Sequence, residues 1–286
     1  MFSTGSAPPE DQADGLRRLF APVQPRVLPV VSNPHVQRGG MLLERLCSAV
    51  AELGLHTLVV DAGERSPGPQ ELAKVDLASC VETLSRDVSY LAARGLALRY
   101  VDAEGSTASL LPALADAAPH AQVLLVHAGA TDLARLLAVR TPARSAVSSL
   151  PRPILLADDH PASVTHAYAA IKILSQRAGL WVHDLLLGAT RTSSRALVIP
   201  GQLSRCAEDF LGASIGHWAQ VDPASPLHSA APRALRRLVE AQLGAVPASS
   251  GSAIDLFESL GDEPAVAFAP ASASPSARSR HAFPEL

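Results

Sequence analysis

The stretch VLPVVSNPHVQRGGMLLERLCSAVAELGLHTLVVDAGE, residues 27 to 64, decides the fold. It opens on an apolar run, Val27 to Val31, with the length and β-branched content of a strand buried on both faces. From Met41 the pattern changes: Leu42, Leu46, Ala49, Val50 and Leu53 fall on one side of a helix, at the spacing of an element that packs on a sheet. Gly54 then supplies a residue that leaves a helix through the left-handed region without strain. Thr57 to Asp61 is again a continuous apolar run ending in an acid. Strand, helix and strand in this order make a βαβ unit, in which the crossover helix lets two strands run parallel.

Working outward, the same alternation continues through LRYVD at 98 to 102, QVLLVH at 122 to 127, PILLA at 153 to 157 and DLLLG at 184 to 188, each read as a strand. The fold class expected is α/β, a doubly wound, mostly parallel sheet in a three-layer sandwich. The chain is 286 residues long and 48% hydrophobic, enough for one large core. That core is expected over residues 25 to 245, between a polar, flexible leader (1 to 24) and a disordered Ala/Ser/Pro-rich tail (246 to 286). A formal charge of -3, from 24 basic and 27 acidic residues, excludes a global basic footprint, so no nucleic-acid partner is expected. No apolar run approaches the ~18 residues needed to span a bilayer, and the N-terminus lacks the apolar core of a secretory signal, so a cytoplasmic location is expected. Cys47, Cys80 and Cys206 are too scattered for a metal pair and read as buried thiols.

In such a sheet ligands bind beyond the C-terminal ends of the strands, which directs attention to the residues after VLPVV, TLVVD and QVLLVH. Read without gaps from Val27, the opening stretch resembles the MinD/ParA family of P-loop ATPases, whose pattern is strand, S-G-K-G-G-V-G-K-T, helix, L-G, then a strand ending in D-A-D. Ser32, Leu46, Ala49, Ala51, Leu53, Gly54 and Val59 to Ala62 fall where that family has like residues. DDHPASVTHAYAAIKIL at 158 to 174 is similar to P-E-P-T-S-I-T-D-A-Y-A-L-I-K of the FlhG/FleN branch, regulators of flagellar number; Pro161, Ser163, Thr165, Ala167, Tyr168, Ile171 and Lys172 match. EDQADGLRRLF at 10 to 20 is similar to the D-Q-A-x-x-L-R activator element of that branch, through Asp11, Gln12, Ala13, Leu16 and Arg17.

The family's chemistry does not carry over with its pattern. A P-loop cradles phosphates with backbone N–H groups freed by glycines, while a lysine reaches the β/γ oxygens and a hydroxyl holds Mg²⁺. Here the loop reads Asn33, Pro34, His35, Val36, Gln37, Arg38, Gly39, Gly40. By the resemblance, Pro34 stands in place of the dimer-bridging lysine, Gly39 of the phosphate lysine and Gly40 of the Mg²⁺-binding hydroxyl. Asp61 keeps the place of the water-orienting carboxylate, but Gly63 replaces the second acid, His127 the Walker B aspartate, and Gly188 the asparagine that reads adenine. The expectation is a vestigial nucleotide site at Asn33, Pro34, Gly39, Gly40, Asp61 and His127, with no catalytic residue, no metal, and the family's ATP and Mg²⁺ lost. The ten histidines lack zinc spacing, no G-x-S-x-G elbow is present, and Asp158-Asp159 read as solvated acids.

The resemblance therefore implies a pseudo-ATPase adaptor that regulates the number or placement of flagella. It would bind and stimulate the signal-recognition-type GTPase FlhF through Asp11, Gln12, Ala13, Leu16 and Arg17, with basal-body or C-ring components as further candidate partners. Two alternatives stand beside it: an active ATPase of the same family with a rewritten loop, and a structural component of another envelope assembly such as the cellulose-synthesis apparatus. PRALRRLVEAQL at 232 to 243 is amphipathic, with Leu235, Leu238, Val239 and Leu243 on one face. It reads either as a last helix packed on the sheet or as a weak contact with the inner face of the cell membrane.

Overall fold

The computed structural model describes residues 25–69, 76–103, 105–107, 109–138, 151–226 and 229–244. The leader and tail assigned from the sequence lie outside these described residues. Eight strands form one sheet: β1 (Arg26–Val31), β2 (Thr57–Ala62), β3 (Glu82–Thr83), β4 (Val88–Ala92), β5 (Val123–Ala128), β6 (Ile154–Asp158), β7 (Val182–Gly188) and β8 (Ser214–Val221). Their order is β3-β4-β2-β5-β1-β6-β7-β8; β3 is antiparallel to β4 and every other neighbour pair is parallel. The α/β class read from the sequence is the observed one.

Among the described residues, six α-helices cover the two faces: α1 (Gly39–Ala51), α2 (Leu110–Ala117), α3 (Ala130–Leu137), α4 (Pro161–Ala178), α5 (Ser194–Leu211) and α6 (Arg233–Leu243). α2 to α5 bury one face, whose core includes Leu114, Leu133, Ile171 and Leu203. α1 and α6 bury the other, with Leu42, Leu46, Val50, Leu235 and Leu238 fully enclosed. Each such leucine removed from water contributes about 2 kcal/mol. Gly54 closes the α1 connection at φ 73°, as the sequence requires. Pro29 sits in a central strand without penalty, because β1 pairs with β6 only through Val30 and Val31, so no ladder bond is lost on that side.

Three readings need correction. LRYVD at 98 to 102 is not a strand: Gly95 turns the chain at φ 77° and Leu96–Tyr100 winds into a 3-10 helix that leaves Leu98 60% exposed. The strand beside β2 is VSYLA, Val88–Ala92, whose polar Ser89 and Tyr90 are buried. The apolar face of 232 to 243 is not free to meet a membrane, since Leu235, Leu238, Val239 and Leu243 are buried against the sheet and α1, and Arg236 pairs with Glu52 at 2.9 Å. Cys206 is exposed, while Cys47 and Cys80 are buried and burial pushes the Cys47 thiol up to about 12. No helix among the described residues is long and apolar enough to cross a membrane.

Candidate functional site

The ends of β1, β2, β5 and β6 meet at the loop between β1 and α1, so the fold brings Asn33, Pro34, Gly39, Asp61 and His127 to one place. The loop is a tight turn closed on its own backbone, with the Val36 N–H donating to the Asn33 carbonyl at 3.1 Å. Asn33 is the anchor. Its buried amide Nδ2 donates to the Leu156 carbonyl (2.8 Å), the Ser163 carbonyl (3.0 Å) and Ser163 Oγ (3.2 Å), and its Oδ1 accepts from the His35 N–H (3.1 Å). Ser163 Oγ in turn accepts from the Asp158 N–H at 2.9 Å, which joins the loop to the end of β6 and the first turn of α4. Val36, 3% exposed, packs inward. Gly39 and Gly40 begin α1 without adopting positive φ, so neither builds the phosphate nest that glycines make in a P-loop.

Below the loop, Asp61 and His127 form a buried pair. They are 3% and 2% exposed, and His127 Nδ1 donates to Asp61 Oδ1 at 2.7 Å. Ser66 Oγ also donates to Oδ1, and the Tyr90 hydroxyl donates to Oδ2 at 3.2 Å. Burial alone raises the Asp61 pKa, but the hydrogen bond and charge of His127, with Ser66 and the Gly63 N–H, overcome it and hold the carboxyl below its ordinary value. The Tyr90 hydroxyl is pushed up, first by burial and then by the Asp61 carboxylate. Gly63 is fitted to the imidazole: a Cβ there would stand 2.8 Å from His127 Cε1. Gly188 is fitted in the same way to α1, since its Cβ would stand 3.2 Å from Leu42 Cδ1.

The space enclosed by Ser32, Asn33, Pro34, Val36, Gly39, Glu64, Arg65, His127 and Leu156 is a cavity of about 10 Å³. That is at most the room of a single water. These residues do not fit a magnesium triphosphate: the loop holds no lysine, its Arg38 donates outward to the Pro223 carbonyl at 3.3 Å, and the Asp61 carboxylate is occupied by three side chains. A cleft of about 370 Å³ remains alongside, lined by Gln37, Arg38, Met41, Asp158, His160 and Thr190 among others. Asp158 is not free in it, because Oδ2 accepts from the Gln37 N–H and Oδ1 from the His160 N–H. No group of three or more His, Cys, Asp or Glu among the described residues could hold a metal ion.

Sequence reasoning brought Asn33, Pro34, Gly39, Gly40, Asp61 and His127 to this region, and missed Ser66, Tyr90 and Ser163 as their partners. Tyr90 was findable once VSYLA is taken as the strand next to β2. Asp11, Gln12, Ala13, Leu16 and Arg17 lie outside the described residues.

No protein-family model matches this chain. No curated protein matches it in sequence either. Among solved structures it is similar to the cell division protein MinD of Aquifex aeolicus (15% identity over 77% of this chain and 98% of that one, TM-score 0.48). It is similar also to a substituted form of Cyanothece McdA in complex with ATP (11% identity, 77% and 97% covered, TM-score 0.49). A third is cobyrinic acid a,c-diamide synthase of Mycobacterium smegmatis with a bound ATP analogue and magnesium (15% identity, 77% and 94% covered, TM-score 0.48). These are likenesses of fold, and the ligands belong to those proteins.

Proposed function

We propose that this chain is a MinD-like adaptor that works without ATP, a pseudo-ATPase that regulates the number or placement of flagella from the cytoplasm. One observation carries the loss of nucleotide. What supports it is that the loop after β1 is tied down by Asn33, the Asp61 carboxylate is taken by His127, and only about 10 Å³ remains between them. Burying a triphosphate there requires breaking Asn33 from β6 and α4 and uncovering a carboxylate that then repels the phosphates. With that site closed, the activity rests on protein contacts, and the element in the sequence suited to make them is the leader segment EDQADGLRRLF. On a GTPase of the signal-recognition type, Gln12 would order the attacking water and Arg17 would offset phosphate charge, the two roles that an amide and a guanidinium perform in phosphoryl transfer.

Two measurements test this. Calorimetric titration with ATP and Mg²⁺ is expected to show no binding tighter than millimolar, and a micromolar dissociation constant overturns the pseudo-ATPase reading. A peptide of residues 1 to 24 is expected to stimulate the cognate FlhF-type GTPase nearly as well as the whole chain, and Gln12→Ala or Arg17→Ala to abolish the effect. Stimulation by the chain that survives both substitutions rules the leader out as the active element.

A further inference from the structure

Helices α4 and α5 lie side by side on one face of the sheet and leave between them a groove of about 690 Å³. α4 lines it with Val164, Thr165 and Tyr168, and α5 with Val198, Gln202 and Cys206 among others, each set at the three- and four-residue spacing of one helix face. The described residues leave this trough open: Val198 is 51% exposed, and Cys206 is exposed where Cys47 and Cys80 are buried. Along α5 the lining runs from Ser194 to Cys206, about 18 Å. Two ridges with an apolar trough between them are the form that receives an amphipathic helix.

The chain carries a sequence of that kind within reach. In the leader, Gln12, Ala13, Leu16, Leu19 and Phe20 fall on one side of a helical pattern, and Glu10, Asp11, Asp14 and Arg18 on the other. As a helix, residues 10 to 20 are about 16 Å long, which matches the groove. Topology fixes where the leader begins. It joins the sheet at Arg26, the first residue of β1, and Val30, Ile154 and Asp184 are level across β1, β6 and β7. Val182 is thus level with Leu28, so α4, which ends at Ala178 just before β7, comes down to the side of the sheet where the leader enters. The six residue steps from Phe20 to Arg26 span up to about 20 Å, more than the about 10–12 Å thickness of the one helix that separates the sheet from the mouth of the groove. The tail is less well placed: it leaves from α6 on the opposite face of the sheet, and its amphipathic run, 254 to 260, begins ten residues beyond Gly244.

We propose that residues 10 to 20 dock as a helix in the α4–α5 groove of their own chain, parallel to both helices, with Leu16, Leu19 and Phe20 on the apolar floor and Gln12 turned inward. A helix this short is not stable alone, so it takes its fold from the groove. The short tether holds it there at an effective concentration in the millimolar range, which is why the groove is assigned to this segment and not to a separate protein. The docking stands on the groove and the tether alone. One consequence rests on the function proposed above: the docked face includes Gln12, so a GTPase has to draw the leader out of the groove. That raises the concentration needed for half-maximal stimulation and leaves its extent at saturation unchanged.

Cys206 reports occupancy of the groove directly, because the other two cysteines of the chain are buried. Alkylation of Cys206 by iodoacetamide in the full, reduced chain is expected to be about tenfold slower than in the leader variant Leu16→Asp/Leu19→Asp or the groove variant Val198→Glu, with the urea midpoint unchanged. Val198 is half exposed, so its variant leaves the core intact, and an added carboxylate slows a thiolate, so a faster reaction does not come from the charge. A rate that the leader variant leaves unchanged overturns the inference, and one raised instead by Phe257→Asp gives the groove to the tail and overturns it too. Stimulation of the FlhF-type GTPase is a separate readout, in which Val198→Glu is expected to lower the half-maximal concentration about tenfold. Protection of Cys206 without stimulation by chain or peptide upholds the docking and overturns the function proposed for the leader, whereas stimulation without protection overturns the docking alone.

Discussion

At Gly63 the chain has no room for a side chain, since a Cβ would stand 2.8 Å from His127 Cε1 and 2.9 Å from Ser66 Oγ, both held in place by Asp61. The glycine and the imidazole are therefore one packing unit. Gly63→Ala is expected to destabilise the protein by about 1–3 kcal/mol, the usual effect of overfilling a packed site. In a His127→Ala background the same substitution has space and should cost little, so the two should couple by at least about 1 kcal/mol in a double-mutant cycle read from urea midpoints. Additive effects would show that the imidazole is not what excludes a side chain at position 63.

Among the elements, α6 is held by more than its leucines. Asp184, fully buried near the start of β7, accepts from Gln242 Nε2 at 2.8 Å and from the His217 N–H of β8 at 2.8 Å, and lies 3.6 Å from Arg152 Nε. Arg152 also donates to the Ala241 carbonyl, and Gln242 to the Arg152 carbonyl. One carboxylate thus ties the end of α6 to two strands. Asp184→Ala leaves buried donors unpaired and is expected to destabilise by about 2–4 kcal/mol, seen as a lower urea midpoint, with hydrogen exchange accelerated first in α6. No change in α6 exchange would show that its leucines suffice. The elements that the sequence makes legible are those whose apolar runs are unbroken: β1, β2, β5, β6, β7 and the α1 crossover. β4 was hidden because Ser89 and Tyr90 interrupt its run, and the chain buries them by giving Tyr90 the Asp61 carboxylate and Ser89 the His56 ring at 3.0 Å. β8 was hidden because an edge strand alternates exposed Gly216 and Trp218 with buried Ala219. The place of the candidate site followed from strand order, whereas its closure did not, since neither the Asn33 tether nor the Asp61–His127 pair is readable from spacing.

For the molecule as a whole, acid stability is set by groups in two pH windows. Burial pushes His183 down to about 4 from an ordinary 6.5, and its ring nitrogens have no hydrogen-bond partner. Between those values the unfolded chain takes a proton that the folded chain refuses, so stability falls as pH drops from 6.5 to about 4, by up to about 3 kcal/mol. Asp61 acts lower: its folded pKa lies below 3.8, so its contribution is present above that value and lost as pH falls through the folded one. Urea midpoints measured from neutral pH downward should show both declines, and His183→Leu should flatten the first while leaving the second. An unchanged slope in that variant would assign the first decline to other groups. The fit of His127 to Gly63 also limits what either position can become. An acid placed at 63 collides with the imidazole, and an aspartate placed at 127 faces Asp61 as an uncompensated like charge, so neither change is tolerable by itself. Positions 63 and 127 can therefore change only in concert, so the pair is locked as one unit while the surfaces around it are free to vary.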